Sequence, residues 1–323
     1  MNPKSWALAL RYCCALCCCI SAQAQFAPPA GQPGTTAIPQ DTPIIIQWAG
    51  SCSIQRGLRQ INLPDSGYAT VGDSVSAVGP AGTNGVVSLG DGGKATLGFS
   101  PAISDGTGFD FCVFENSFLD DFLELAVVAV SSDGVHFVRF PATSLTQDTL
   151  QTESFGLTDA RKINNLAGKY RGGFGTPFDL NELRDSSGID IQHITHVRIT
   201  DVVGSIDSSY ATRDAFGHKI NDPWPTNFPS GGFDLDAVGV LAHWPTGFVD
   251  ASNHKLQIFP NPVHHQLHLS ATASNLCLYD DLGRLVARQQ YTRELWLGEL
   301  PRGLYWLKCT IDEQDYHQPV ILE

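Results

Sequence analysis

Punctuation constrains this chain most. Between residues 43 and 244, short apolar runs are cut by glycine and by Asp-Gly pairs, and almost none keeps a helical period. The β-type runs fall at 44–46, 86–89, 95–99, 111–114, 123–130, 135–140, 197–199 and 233–241. Asp91-Gly92, Asp105-Gly106 and Asp133-Gly134 mark turns. Asp-Gly tolerates the positive φ of a type I′ turn, so 126–131 and 135–140 read as a hairpin about Asp133-Gly134. Only residues 179–185 read as helical, and briefly. Many short strands without alternating helices predict an all-β fold here, a large jelly-roll-like β-sandwich, and exclude a parallel α/β sheet. The 144–188 stretch is long for a loop, and such loops are functional or partly ordered.

Composition then narrows the function. The 323 residues carry 20 Lys+Arg against 33 Asp+Glu, a net charge of −13. A nucleic-acid binder needs a basic footprint to replace the counterions of phosphate, so no nucleic-acid partner is expected. A hydrophobic content of 42% is enough for a sizeable core and excludes wholesale disorder.

Residues 1–24 read as a secretory signal: Lys4 and Arg11 give the positive region, 7–20 the apolar stretch, and Ala22-Gln23-Ala24 the cleavage pattern. No later stretch is apolar and long enough to anchor the mature chain. Cleavage leaves Cys52, Cys112, Cys277 and Cys309 in an oxidising compartment, paired or buried, with connectivity open. Residues 25–42, rich in Pro, Gly, Gln and Thr, read as a linker. The large sandwich spans 43–244, a polar break follows at 245–255, and 256–323 reads as a small C-terminal Greek-key β-sandwich.

No zinc-binding His-Glu-x-x-His, nucleophile elbow, P-loop or dinucleotide fingerprint is present. Carboxylate pairs for glycoside hydrolysis leave no local motif, so hydrolysis stays open. Asp234 and Asp236 lie two apart on an expected strand, sharing a face that Val238 and Val240 continue. Glu115 and Asn116 end another strand, near the 105–108 turn and Asp110. Oxygen ligands on strand ends and turns suit Ca²⁺ better than zinc. The rival is a carboxylate–backbone network, or an Asp–Arg pair using Arg198 or Arg171. Tyr170, Arg171, Phe174, Trp224 and Phe228 sit on Gly- and Pro-rich loops, where rings can stack on sugars or fold back over a sheet edge. The expectation is a non-enzymatic module for a glycan or other surface ligand. Its alternatives are a polysaccharide hydrolase and a purely structural or adhesive protein.

Three C-terminal motifs follow in order: residues 258–262 with Pro260, Asn261 and Pro262; 278–284 with Tyr279, Asp280 and Gly283; and 300–305 with Gly303 and Tyr305. Together with the closing apolar strand at 319–322, they resemble the type A C-terminal sorting domain of the Bacteroidetes type IX secretion system. The resemblance implies export to the periplasm, passage through an outer-membrane translocon, removal of the domain, and surface attachment or release. Gly283 and Gly303 would then serve turns, and the neighbouring His264 and His265 are expected to be solvated rather than to share a metal. Residues 110–116, 175–180 and 231–238 resemble segments of uncharacterised bacterial cell-surface β-sandwich proteins, a likeness that carries no activity. The terminal strand of the large unit is also similar to one strand of galactose-binding-like jelly rolls.

Overall fold

The structure, a computed structural model, describes residues 26–243, 256–311 and 314–323, the side chains of 314 and 315 excepted. The expected leader at 1–24 and the break at 245–255 lie outside them.

The fold is all-β and sandwich-like. One sheet holds, in spatial order, Ile38–Pro39, Phe174–Phe178, Phe111–Glu115, Asp234–Leu241 and Ile45–Trp48, with Val87–Ser88 paired to Asp234–Leu241. The facing sheet holds Leu166–Ala167, Ala126–Ser131, Ile194–Asp201, Lys94–Ile103 and Ser51–Gln55, with Val138–Arg139 paired to Ala126–Ser131. Pairing within both sheets is antiparallel. Successive long strands alternate between the sheets, which brings residues distant in sequence across one core.

Alternation builds that core. In Lys94–Ile103, Ala95, Leu97, Phe99 and Ile103 are buried. They meet Phe111, Val113, Val197, Ile199, Leu235 and Val238 from neighbouring and facing strands. Phe111 stacks on Phe178 with centroids 5.3 Å apart, and Phe140 closes on both rings. Phe111–Glu115 is buried along its whole length. Phe111 and Val113 face the inter-sheet core, while Cys112 and Phe114 pack outward against Ile38, Ala81 and Ala237. A strand covered on both faces needs this unbroken apolar run.

Four sequence expectations change in detail. Residues 26–42 do not hang free: Ile38–Pro39 pairs with Phe174 and Gly175, and Phe26 N–H donates to Arg161 O at 2.9 Å. Backbone pairing and the burial of Ile38 order a segment of largely polar composition. The Asp133-Gly134 hairpin exists, but its pairing begins at Val130↔Val138, wider than a type I′ turn. Asp133 Oδ1 accepts from Val135 N and His136 N, both at 2.8 Å, and this widened turn replaces ladder bonds. Residues 179–185 give only the short 3₁₀ turn Leu180–Leu183, capped by Asp179. The 144–188 stretch is not a plain loop: it contributes Leu166–Ala167 to one sheet and Phe174–Phe178 to the other.

The tail builds its own core around Leu267, Leu276, Leu278, Leu307 and Val320, sharing no residue with the core of the large unit. The runs expected at 267–269 and 276–279 are one strand, Gln266–Asp280. Its first half pairs with Ile258–Phe259 and Thr292–Trp296, its second with Leu285–Gln289 and Gly303–Ile311. Asn275, at φ 51, stands within the changeover, where Asn tolerates a left-handed backbone. Among the described residues Cys52, Cys112 and Cys277 are free thiols; Cys112 and Cys309 are buried, and Cys52 and Cys277 half-buried.

Candidate functional site

Two strands of opposite sheets end in acids at the same end of the sandwich. Strand period two carries Phe111, Val113 and then Glu115 inward, and likewise Val197, Ile199 and then Asp201. Glu115 pairs with Leu235, and Asp201 pairs with Ala126, so the beginnings of Asp234–Leu241 and Ala126–Ser131 lie beside them. Phe233 N–H donates to Asp201 Oδ1 at 2.7 Å, which joins the two sheets here. Glu124 precedes Ala126–Ser131, and Asp222 arrives from a loop to accept the Leu125 N–H at 3.0 Å.

These acids are inside the protein. Glu115 is 1% exposed, Asp201 2%, Asp222 3% and Asp91 6%, while Glu124 is half-buried. Backbone amides satisfy part of them: Ser117 N donates to Glu115 Oε2 at 2.8 Å, and Gly92 N to Asp201 Oδ2 at 2.9 Å. Glu115 Oε1 and Asp222 Oδ1 are buried without a partner. Burial first, and then the neighbouring carboxylates, hold Glu115, Glu124, Asp201 and Asp222 well above the usual carboxylate range. Asp234, bonded to Ser88 Oγ and near Arg56, is pushed up to about 6, again mainly by burial.

The acids expected to form one site separate. Glu115 and Asp234 lie at this end, with half-buried Asn116 following Glu115. Asp236 takes Gly82 N–H on both oxygens, at 3.0 and 2.9 Å. A register shift between Leu235 and Ala237 breaks the alternation, so Asp234 and Asp236 do not share one continuous face with Val238 and Val240. Asp110 precedes the strand that Glu115 ends, roughly 16 Å away at 3.3 Å per residue. There it joins Asp105 and Asp179, whose carboxylate oxygens all lie within 4.8 Å of one another, and His243 Nε2 at 3.1 Å. Burial pushes Asp110 up to about 7 despite amide bonds from Leu180 and Gly106. Glu124, Asp201 and Asp222 were not candidates from sequence. Inward alternation after Ile199 signals Asp201, whereas nothing local signals Asp222.

The aromatic loops also divide. Tyr170 is 1% exposed and its hydroxyl meets Thr36 Oγ1 at 2.8 Å, so it is a packing residue rather than a ligand platform. Arg171 pairs with Asp120 at 2.5 Å and covers the Phe174 ring at 4.6 Å, on the strand that holds Ile38–Pro39. These side chains pin the N-terminal segment. Trp224 and Phe228 stand at the acidic end. Trp224 is half-buried, its Nε1–H donating to Asp91 Oδ2 at 3.0 Å. Phe228, 40% exposed, lies 5.8 Å from Phe155, itself 74% exposed and 6.3 Å from Phe122.

The tail motifs are structural joints. Asn261 donates through Nδ2 to Pro319 O at 2.9 Å and accepts Ile321 N–H at 2.8 Å, tying the opening of the domain to its last strand. Pro260 and Pro262 flank it, exposed. Asp280 Oδ1 accepts from Leu282 N and Arg284 N, at 3.0 and 2.9 Å, around Gly283 at φ 74. Tyr279 and Tyr305 are buried, the Tyr305 hydroxyl donating to Pro301 O. Gly303 is not a turn residue: it opens the strand Gly303–Ile311. His264 and His265 are exposed, as expected.

Residues 257–323 match the family model of the secretion system C-terminal sorting domain. The chain matches no curated protein. Among the described residues no helix is long and apolar enough to cross a membrane. The chain therefore carries a type IX sorting domain, interacts with that secretion machinery and is delivered to the outer cell surface or the extracellular space.

Proposed function

We propose that the large sandwich is a non-enzymatic binding module for a surface glycan, held by the rings at its acidic end and delivered by the sorting domain. The observation that carries this reading is the run Phe122, Phe155, Phe228, with centroid spacings of 6.3 and 5.8 Å and with Phe155 and Phe228 open to water. Exposed rings held side by side lose no further backbone freedom on binding, and they offer apolar faces to sugar rings. The same end supports binding over hydrolysis: Glu115, Asp201 and Asp222 are sealed below the rim rather than facing across an open cleft.

The test is a polysaccharide-binding panel with the full secreted chain, followed by Phe228→Ala and Phe155→Ala. Each should weaken binding by about 1–3 kcal/mol, and Phe155→Ala, which removes a largely exposed ring, should do so without moving the melting temperature. Release of reducing ends, abolished by substitution of an Asp or Glu, would establish the hydrolase instead. Absence of any glycan binding by a folded chain would leave the adhesive role.

A further inference from the structure

We propose that the open face of the sheet containing Ile194–Asp201 binds a carboxylate-bearing polysaccharide, with Arg198 and Lys94 taking its charges. The two sheets differ in what covers them. Outward residues of the first sheet, Cys112, Phe114 and Ala237, pack under Ile38 and Ala81. In the other sheet, alternation sends Val197 and Ile199 into the core and Arg198 and Thr200 out. Ala95 and Leu97 likewise point in, and Lys94 and Thr96 out. Register sets these outward side chains side by side: Thr96 pairs with Arg198, and Lys94 with Thr200. Lys94 and Arg198 are therefore diagonal neighbours on one face, about 7–8 Å apart. Ser53 and Gln55 extend the two rows on one flank, and Ala129 leads to Arg139 on the other.

An open face is ordinary in an antiparallel sandwich, but its charge here is not. The chain carries a net −13, yet the outward positions of Ser51–Gln55, Lys94–Ile103, Ile194–Asp201 and Val138–Arg139 hold no Asp or Glu. Among the described residues neither Lys94 nor Arg198 forms an ion pair. Asp214, held by the amides of Ser144 and Phe216, lies near Arg139, so the uncompensated charge is that of Lys94 and Arg198. Cations gathered without partners in an acidic chain complement an anion.

Arg198 is also set for one kind of anion. Its guanidinium carbon lies 3.4 Å from the centre of the Phe137 ring, and its Nε–H donates to Thr96 Oγ1 at 3.1 Å. Among the described residues its terminal nitrogens make no hydrogen bond. Ring and hydroxyl thus fix the fork before a ligand arrives, and a planar fork matches a carboxylate through two parallel hydrogen bonds. Thr96 accepts from Arg198 and keeps its own O–H to donate, beside Ser53, Gln55 and Thr200, which suits a hydroxyl-rich sugar chain. The two rows contain no large aliphatic side chain to anchor in a membrane. A peptide lying on the face, rather than along an edge, finds no free backbone ladder. Phe155 and Phe228 stand on loops outside these strands, so binding here is independent of the rings at the acidic end.

The experiment titrates the full secreted chain by calorimetry, at low and at raised salt, with polygalacturonate, polyglutamate, neutral dextran and vesicles of anionic phospholipid. Polygalacturonate is expected to bind, and to bind more weakly as salt is raised, while dextran shows no such salt dependence. Arg198→Lys keeps the charge but loses the fork, and should weaken polygalacturonate binding about tenfold. Lys94→Gln, at an exposed position, should weaken it about threefold. Arg184→Gln makes the same charge change in a loop outside the face and should leave binding unchanged. A melting curve accompanies each variant, and if Arg198→Lys fails to fold, Lys94→Gln against Arg184→Gln decides. The proposal would be overturned by a folded parent chain that does not bind polygalacturonate, or by undiminished binding in Arg198→Lys and Lys94→Gln. Equal loss in Arg184→Gln, or tighter binding of polyglutamate or of the vesicles, would overturn it as well.

Discussion

Trp224 donates its indole N–H to Asp91 Oδ2 at 3.0 Å, across 133 positions of sequence. The bond ties the Trp224 loop to the acidic end, and the same oxygen also accepts Ile61 N–H at 2.8 Å. Asp91 in turn helps to raise Asp201 and Asp222 by repulsion. The indole thus has two roles, a ring at the rim and a donor to a buried acid.

Trp224→Phe separates those roles. The ring face is kept, while Asp91, 6% exposed, loses one of its donors. Loss of a hydrogen bond to a buried acid costs about 1–3 kcal/mol, so the urea midpoint should fall. Glycan affinity should fall less than with Trp224→Ala, which removes both donor and ring. Equal stability of parent and Trp224→Phe would mean that the bond is not formed in solution.

Lys169 predicts a pH effect of definite sign. Its Nζ donates to Ile163 O at 2.8 Å in a buried setting, and burial lowers its pKa to about 8, against a smaller opposing pull from Asp159. Between pH 8 and the unfolded value near 10.4, the unfolded chain binds more protons, so stability rises with pH across that window. The cost of the buried ammonium, about 3 kcal/mol, is present in full below pH 8. Lys169→Met should lack this rise, so the parent-minus-variant stability difference should increase between pH 8 and 10. A difference that falls with pH would contradict the lowered pKa.

Strand identity was legible wherever one face is buried or a whole strand is apolar, as in Lys94–Ile103 and Phe111–Glu115. Thr292–Trp296 carries a single buried residue, Leu295, and so gave no pattern to read. The candidate site was legible only in Glu115 and Asp234, which stand on strong strands. Asp222 is placed by a loop whose path depends on distant partners, including Leu125 N–H and Gln151. The slip beside Asp236 is also a tertiary event, invisible to a period-two count.

The tail gives a prediction on delivery. Asn261 bonds both Pro319 O and Ile321 N, so Asn261→Ala should loosen the closing strand by about 1 kcal/mol and reduce surface display. Removal of residues 256–323 should hold the protein in the periplasm. Fractionation with external protease reads both outcomes, and normal display of the truncated chain would contradict the sorting role.

Gly168 offers the sharpest packing test of the acidic end. Its φ is 79, and an added Cβ would stand 1.8 Å from Glu124 O and 3.0 Å from a Phe233 ring carbon. Gly31 has nearly the same φ, 81, but nothing within 4 Å of an added Cβ. Gly31→Ala therefore carries only the left-handed backbone cost, about 1 kcal/mol. Gly168→Ala carries that cost and must also push away the backbone of Glu124, for a total of about 2–4 kcal/mol. Equal losses of stability in the two variants would show that the close approach of Gly168 to Glu124 is absent in solution.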